Sequence, residues 1–272
     1  MKSFTLNNGT KIPQIGFGTW KIWLNNQAQK AVADALAVGY RLIDTARIYG
    51  NEKGVGRAIR SSSVDRKDIF VTTKLWNSDQ GYDSAFRAFD ASLERLGLDY
   101  VDLYLIHWPS SGKRQDSWRA LEEIYKGGRA KAIGVSNYTV EHLEELLTTS
   151  TVVPAVNQVE LHPFLYKDQA PLLDFCHRHK IIVEAYSPLS QAQRLDNPLI
   201  TSIANRLGKT NAQVMLRWAI QHGTVPLPKT THHDRKVENL DIFDFKLNDK
   251  DMLQIDKLSD HDRTAWDPTR IT

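Results

Sequence analysis

Short, continuously apolar runs alternate along the chain with longer segments whose apolar residues recur at helical spacing. The short runs predict strands buried on both faces, as in a parallel sheet, because a half-exposed strand would alternate polar and apolar residues. Eight such strands are predicted, at residues 14–18, 42–43, 69–73, 101–106, 132–135, 155–159, 181–185 and 225–228. The pattern therefore favours a chain built on one parallel sheet.

Helices are predicted at residues 28–38, 52–59, 84–96, 117–125, 140–147, 170–177, 200–207, 212–221, 235–240 and 249–258. Strict alternation without a break in composition favours an α/β fold of the (β/α)8 type, a TIM barrel, over a doubly wound sheet. An Asn-Gly pair at positions 8 and 9 predicts an N-terminal β-hairpin at about 3–13, closing the bottom of the barrel. We expect a single domain over residues 1–272, with a C-terminal helix and tail at about 248–272.

The composition narrows the class of protein. A chain of 272 residues with 41% hydrophobic and 25% charged residues is typical of a soluble globular protein. Its net charge of +3 is scattered, and no apolar segment suits a signal peptide or a membrane span. The single cysteine, Cys176, excludes an internal disulfide and fits a reducing compartment. We expect a cytoplasmic monomer that binds neither nucleic acid nor membranes.

Polar and aromatic residues follow the predicted strands at the end where barrel enzymes carry out their chemistry. In chain order they are Thr19 and Trp20, Asp44, Lys74, His107 and Trp108, Ser136 and Asn137, Gln158 and Glu160, Tyr186 and Ser187, and Lys229 and Thr230. The steps from Asp44 to Lys74, His107 and Asn137 are 30, 33 and 30 residues, one βα unit each. A charged residue often only marks the point where a strand reaches the protein surface. This regular spacing, however, predicts that the side chains share one mouth of the barrel.

A proton-delivery set is predicted around Tyr49, five residues after Asp44. A phenol with a pKa of about 10 is a poor acid at neutral pH, and we expect the Lys74 ammonium to lower that pKa. Asp44 would pair with Lys74, and a neutral His107 would orient a carbonyl oxygen or assist its protonation. Such a set protonates a carbonyl but supplies no electrons, so a hydride-donating cofactor is predicted.

Two further groups of residues suit a nicotinamide dinucleotide. Ser136, Asn137 and Gln158 offer donors and acceptors for a carboxamide, and Tyr186 offers an aromatic face. Beyond the last strand stand Lys229, Thr230, Arg235, Glu238 and Asn239. Two cations beside a hydroxyl indicate a phosphomonoester, which favours NADPH over NADH.

These residues stand in motifs through which the sequence resembles the aldo-keto reductases over essentially its whole length. The motifs are Gly-Phe-Gly-Thr-Trp at 16–20, Asp-Thr-Ala-Arg-Ile-Tyr-Gly-Asn-Glu at 44–52, Thr-Thr-Lys-Leu-Trp at 72–76, Leu-Ile-His-Trp-Pro at 105–109, Ile-Gly-Val-Ser-Asn-Tyr at 133–138, Asn-Gln-Val-Glu-Leu-His-Pro at 157–163, Tyr-Ser-Pro-Leu at 186–189 and Pro-Lys-Thr at 228–230. Short predicted loops and the C-terminal segment make the chain most similar to the bacterial 2,5-diketo-D-gluconate reductases.

The resemblance implies reduction of an aldehyde or ketone by NADPH, with Tyr49 as the acid and Asp44, Lys74 and His107 as its partners. It implies cofactor contacts at Gly18, Thr19, Trp20, Asp44, Ser136, Asn137, Gln158, Tyr186, Ser187, Leu189, Gln191, Lys229, Thr230, Arg235, Glu238 and Asn239. The implied substrate contacts are Trp20, Tyr49, Trp76, His107 and Trp108. Two departures from the family's pattern bear on the choice of substrate. They are Arg47, at a position where small residues are common, and a short tail at 264–272. We expect a small polar dicarbonyl such as a diketo acid or methylglyoxal.

Two other functions remain open for this sequence. Lys74 could be the Schiff-base lysine of an aldolase, although that leaves Gln158 and the cations around Lys229 without a role. The chain could also be a non-catalytic regulatory barrel that binds NADPH, but such a barrel is expected to lack one of the four proton-delivery residues. No metal is expected, since Cys176, His177 and His179 close a helical pattern without a further ligand set.

Overall fold

The computed structural model describes residues 2–270. Its strands are β1 (Ser3–Thr5), β2 (Lys11–Pro13), β3 (Phe17–Gly18), β4 (Leu42–Asp44), β5 (Phe70–Leu75), β6 (Leu103–Ile106), β7 (Ile133–Ser136), β8 (Val156–Glu160), β9 (Ile182–Tyr186) and β10 (Val225–Pro226). Its α-helices are α1 (Asn25–Val38), α2 (Glu52–Arg60), α3 (Tyr82–Leu96), α4 (Arg114–Lys126), α5 (Val140–Thr149), α6 (Tyr166–Arg178), α7 (Pro198–Leu207), α8 (Asn211–Gln221), α9 (His233–Leu240) and α10 (Asp249–Asp256).

Strands β3 to β10 form one parallel sheet in which each strand pairs with its neighbours in chain order. The sheet closes on itself, because Gly16 N donates to Pro226 O at 3.0 Å and Gly18 N donates to Pro228 O at 3.1 Å. Closure leaves no strand edge open to solvent or to another chain. The predicted (β/α)8 barrel is therefore confirmed.

The N-terminal hairpin covers the end of the barrel at which the strands begin. Strands β1 and β2 pair antiparallel across a turn in which Gly9 adopts a left-handed φ of +87°. Leu6 and Ile12 are buried in one cluster with Phe70 and Ala155, which lie at the start of β5 and just before β8. The hairpin predicted from the Asn-Gly turn thus closes the bottom of the barrel and leaves the opposite end for chemistry.

The helices cover the outside of the sheet. Trp118 of α4 and Trp218 of α8 are 1% and 0% exposed. Trp118 belongs to the main core cluster and Trp218 to a second cluster that α7, α8 and α10 share. Between residues 2 and 270, no helix combines the length and the apolar content that a membrane crossing needs.

Helix starts are the least accurate part of the prediction. Helix α6 begins at Tyr166 rather than at residue 170, and α4 begins at Arg114 rather than at residue 117. At the start of α6, Lys167 N donates to Ser259 Oγ at 3.0 Å. That acceptor comes from the C-terminal segment, so the local sequence pattern carries no sign of it.

Candidate active site

A buried ion pair lies at the centre of the barrel mouth. Lys74 on β5 is fully buried, and its Nζ lies 2.7 Å from both carboxylate oxygens of Asp44 at the end of β4. A third bond, to Thr45 O at 2.9 Å, engages the remaining hydrogen of the ammonium. These charge-assisted bonds leave neither buried charge unpaired, which a buried ion pair requires.

Tyr49 lies next to this pair on a single 3-10 turn, Arg47–Tyr49. Its ring centroid is 5.2 Å from Lys74 Nζ and 5.9 Å from the ring of His107. Burial, and after it the charge of Asp44, raise the pKa of Tyr49 well above 10. The net shift is opposite to the expected lowering, because burial and the charge of Asp44 together outweigh the stabilisation of the phenolate by Lys74. Tyr49 is a neutral phenol that can donate a hydrogen bond and, as negative charge develops on the acceptor, a proton.

His107 is held as a neutral imidazole on the other side of Tyr49. Burial, and then the charge of Lys74, lower its pKa well below 6.5. Its backbone oxygen accepts a 3.0 Å hydrogen bond from Asn137 Nδ2, which fixes the end of β6. Within residues 2–270 its buried Nδ1 has no hydrogen-bond partner. A neutral imidazole can donate to a carbonyl oxygen without adding a second positive charge to the site.

The residues expected to hold the carboxamide form one network. Ser136 Oγ donates to Gln158 O at 2.8 Å, and Asn137 Nδ2 donates to Ser136 Oγ at 3.0 Å. Tyr186 OH donates to Asn137 Oδ1 at 2.8 Å, which fixes the plane of its ring. Asn137 adopts a left-handed φ of +64°, a conformation that asparagine tolerates better than most residues. The structure therefore brings these residues together around an oriented aromatic ring, as a nicotinamide requires.

Aromatic rings surround Tyr49 and His107. Trp20 contacts Tyr49 with ring centroids 4.8 Å apart, and Trp76 contacts His107 at 5.2 Å. Trp108 stacks on His107 at 6.5 Å. Trp23, packed on Trp20, and Trp266, packed on Trp108, extend this wall beyond the predicted substrate contacts. These flat apolar walls can exclude water from the space next to the Tyr49 hydroxyl.

The side chain of Asn51 stabilises the loop that carries Tyr49. Asn51 occupies the N-cap position of α2, yet its side chain makes no capping hydrogen bond. Its Oδ1 instead accepts from Thr45 Oγ1 at 2.7 Å, and its Nδ2 donates to Thr19 O at 3.1 Å and Ile22 O at 2.9 Å. Asn51 thus ties the Tyr49 loop to the loop that carries Trp20.

A second group of predicted residues lies at the end of β10 and along α9. Lys229 and Arg235 are exposed, and within the described part of the chain neither has a carboxylate partner. Thr230 Oγ1 accepts from His232 N at 3.2 Å just before α9, and Glu238 Oε1 accepts from Thr210 Oγ1 at 2.7 Å. Cations without a partner beside a helix N-terminus suit a phosphate group.

The sequence prediction missed Lys21, which links two of the segments at the mouth. Its Nζ donates to Gln191 Oε1 at 2.8 Å, and Gln191 Nε2 donates to Thr264 O at 3.0 Å. Burial and then the charge of Lys21 lower the pKa of Lys229. Lys21 is a further positive charge at the mouth, and its position directly after Trp20 was the available signal.

Glu160 anchors the C-terminal segment, which the prediction also missed. Its buried carboxylate accepts from Thr264 N at 2.7 Å and from Ala265 N at 3.1 Å, besides contacting His162 Nε2 at 3.3 Å. The tail is thereby seated so that Trp266 reaches Trp108. A carboxylate at the end of a barrel strand was the sequence signal, although the local pattern did not point to the tail.

The fold and the site together define a class of protein. A neutral phenol beside a buried ammonium and a neutral imidazole, at the mouth of a (β/α)8 barrel, can polarise and protonate a carbonyl oxygen. The chain belongs to the Aldo/keto reductase family, which matches residues 14–260. The predicted family is therefore confirmed, whereas the special likeness to 2,5-diketo-D-gluconate reductases stays a prediction.

Three similar proteins illustrate the match. The glyoxal reductase of Bacillus subtilis (strain 168) is 51% identical over 266 residues, covering 98% of this chain and 96% of that protein. The crystal structure of an aldo/keto reductase from Brucella melitensis is 50% identical, with a TM-score of 0.90 over 95% of this chain and 99% of that chain. A mutant of Gox0644 in complex with NADPH is 41% identical, with a TM-score of 0.94 over 100% of this chain and 98% of that chain.

Proposed function

We propose that this chain reduces a small polar aldehyde or dicarbonyl to the alcohol with NADPH, and that Tyr49 donates the proton. The observation that supports this most directly is the position of Tyr49, neutral and buried between the Lys74–Asp44 pair and the neutral His107. The proposal is tested by following NADPH absorbance with a panel of diketo acids, methylglyoxal, glyoxal and simple aldehydes. A protein that oxidises NADPH with none of them would contradict it.

The enzyme class and the cofactor are confirmed by the comparisons. The chain is an NADP-dependent oxidoreductase of the aldo/keto reductase family. The residues of the mouth fit NADPH, because Tyr186 offers an oriented ring and Lys21, Lys229 and Arg235 offer cations without carboxylate partners among residues 2–270. When bound, NADPH supplies the hydride.

Each of the four central residues has a role in the proposed mechanism. Tyr49 and His107 donate hydrogen bonds to the carbonyl oxygen, and Tyr49 passes its proton to that oxygen as negative charge develops there. Lys74 stabilises the phenolate that remains, and Asp44 holds Lys74 in place. The rings of Trp20, Trp76 and Trp108 exclude water, which strengthens these electrostatic interactions.

The geometry argues against the two other functions. A Schiff-base lysine needs a free, neutral amine, whereas Lys74 Nζ is fully buried with all three hydrogens engaged by Asp44 and Thr45. A regulatory barrel has no need of an intact proton-delivery set, yet Asp44, Tyr49, Lys74 and His107 lie together. If borohydride trapped a carbonyl substrate on Lys74, the aldolase function would be favoured over the reductase function.

Compact substrates should be preferred over bulky ones. The similarity to a glyoxal reductase supports a small dicarbonyl, and Arg47, exposed two residues before Tyr49, can attract a carboxylate on the substrate. We expect kcat/KM for glyoxal, methylglyoxal or a diketo acid to exceed that for a steroid ketone. An Arg47→Ala variant should lose activity with diketo acids but not with glyoxal. A steroid reduced more efficiently than any dicarbonyl would contradict the proposed substrate class.

Lys229 should give the enzyme its preference for NADPH over NADH. The two cofactors differ only at the 2′-position, and one charge-assisted contact is worth about 1.5–3 kcal/mol, or roughly 10- to 150-fold in affinity. Because Lys229 is exposed, we expect the lower part of this range. Fluorescence titration should show wild type binding NADPH about tenfold more tightly than NADH, and Lys229→Ala closing most of that gap.

The matched control for this titration is Lys126→Ala, which removes an exposed lysine paired with Glu123 on α4. It should leave both affinities unchanged. Equal affinities of the wild type for the two cofactors, or a parallel loss for both in Lys229→Ala, would show that Lys229 does not read the 2′-phosphate.

A further inference from the structure

Glu184 is a fully buried carboxyl group inside the barrel that the proposed mechanism does not use. It lies in the middle of β9, in register with Gln158 on β8. Its Oε2 accepts a 2.7 Å hydrogen bond from Gln158 Nε2. Its Oε1 is buried and has no partner in the described part of the chain. A carboxyl group buried with one oxygen unsatisfied costs folding free energy, so its presence calls for a functional reason.

The contact with Glu184 determines how the side chain of Gln158 is oriented. Gln158 Nε2 donates one hydrogen to Glu184 Oε2 and the other to Asp44 Oδ2 at 2.9 Å. The Asp44 carboxylate, which is paired with Lys74, can only accept, and Glu184 accepts through its Oε2. The amide of Gln158 therefore has one favourable orientation, with its nitrogen between the two carboxyl groups. Its Oε1 accepts no hydrogen bond from residues 2–270 and is left as an acceptor.

The other amide-matching side chains are already engaged. Asn137 uses both hydrogens of its Nδ2 on His107 O and Ser136 Oγ, and its Oδ1 accepts from Tyr186 OH. Ser136 uses its own hydrogen on Gln158 O. Gln158 Oε1 is thus the acceptor in this network that has no partner of its own.

A protonated Glu184 can lie near the Asp44 carboxylate without repulsion between two negative charges. Burial, and then the charge of Asp44, raise the pKa of Glu184 to about 8. At neutral pH the group is therefore mostly uncharged, so Asp44 remains the single negative charge balanced by Lys74. A neutral carboxyl group still accepts a hydrogen bond through its carbonyl oxygen.

We propose that Glu184 is a positioning residue, which by holding Gln158 Nε2 fixes Gln158 Oε1 as the acceptor for the carboxamide N–H2 group of the nicotinamide. This inference rests on the proposed function, since it assumes that Gln158 faces the nicotinamide. Without Glu184, one of the two contacts that hold Gln158 Nε2 is lost, so the amide is oriented less firmly by Asp44 and more often presents its own nitrogen, which repels a carboxamide N–H2.

The experiment compares two cofactors that differ only at this group. NADP+ carries a carboxamide, whereas its 3-acetylpyridine analogue carries a methyl ketone and has no N–H2 to donate. Both are titrated by quenching of tryptophan fluorescence in wild type, Glu184→Met and Glu184→Gln. Methionine fills a similar volume without an acceptor oxygen, whereas glutamine keeps one.

Glu184→Met should weaken NADP+ binding by about 2- to 12-fold, the usual worth of one neutral hydrogen bond, and leave the analogue almost unaffected. Glu184→Gln should keep most of the wild-type ratio of the two affinities. The matched control is Glu52→Gln, which alters another buried carboxylate, bonded to Thr73 and Arg95, and should leave the ratio unchanged.

Parallel changes for both cofactors in Glu184→Met, or no change for either, would overturn the proposal. Glu184→Met leaves one hydrogen of Gln158 Nε2 without its acceptor, which lowers stability, and Glu184→Leu serves as a second apolar variant if the methionine protein does not fold. The proposed function fails separately, if the wild type binds neither cofactor and reduces no carbonyl. If the wild type binds the cofactors and reduces a carbonyl, but the ratio of the two cofactor affinities does not change on substitution of Glu184, only the role of Glu184 is rejected.

Discussion

Replacing Tyr49 with phenylalanine should lower turnover at least 100-fold and leave NADPH affinity nearly unchanged. The substitution keeps the ring that packs against Trp20 and His107 but removes the hydroxyl that supplies the proton. General acid catalysis contributes about 10²- to 10⁴-fold, and His107 cannot easily replace the lost acid because its low pKa keeps it unprotonated. Single-turnover measurements with glyoxal, under conditions where chemistry limits the rate, measure this loss of turnover.

Tyr104→Phe is the control for this substitution. Tyr104 is also buried, packs on Phe89 of α3, and its hydroxyl has no hydrogen-bond partner among residues 2–270. Its loss should leave turnover unchanged, because removing an unsatisfied buried hydroxyl costs nothing in the site. If Tyr49→Phe retains a third of wild-type turnover, the proton comes from another group and the role of Tyr49 is wrong.

The sequence was sufficient to predict which side chains meet in the mouth. In a (β/α)8 barrel every strand ends at the same face, so a spacing of one βα unit from Asp44 to Lys74 and His107 translates directly into proximity. The Asn-Gly turn predicted the hairpin in the same way, since a local rule decides it. These features follow from topology and from local turn chemistry, both of which are written in the residue pattern.

Electrostatic details could not be predicted in this way. Whether Lys74 lowers the pKa of Tyr49 depends on how deeply both groups are buried and on how fully Asp44 neutralises the ammonium. Glu184 sits within an apolar strand pattern, and only the three-dimensional register shows that it contacts Gln158. The role of Asn51 was likewise decided by partners in another loop rather than by its position before α2.

Substituting Lys74 with methionine should both abolish most activity and destabilise the fold. The variant leaves the Asp44 carboxylate buried, with the Gln158 amide as its one remaining hydrogen-bond donor among residues 2–270. Removing one member of a buried ion pair typically costs about 3–5 kcal/mol, because the remaining charge is not compensated. The same uncompensated charge opposes the negative charge that forms on the carbonyl oxygen and on Tyr49, so turnover should fall at least 100-fold. Denaturant unfolding and single-turnover kinetics measure the two effects on one preparation.

The double variant Asp44→Asn with Lys74→Met separates these two effects. It removes both charges, so most of the lost free energy of unfolding should return, since asparagine can keep part of the hydrogen bonding. Activity should stay low, because no ammonium remains to stabilise the Tyr49 phenolate. Recovery of stability without activity would mean that the Lys74 charge acts on the chemical step itself. If activity returned together with stability, the ion pair would be needed only to hold the mouth in shape, and its proposed role in proton transfer would have to be abandoned.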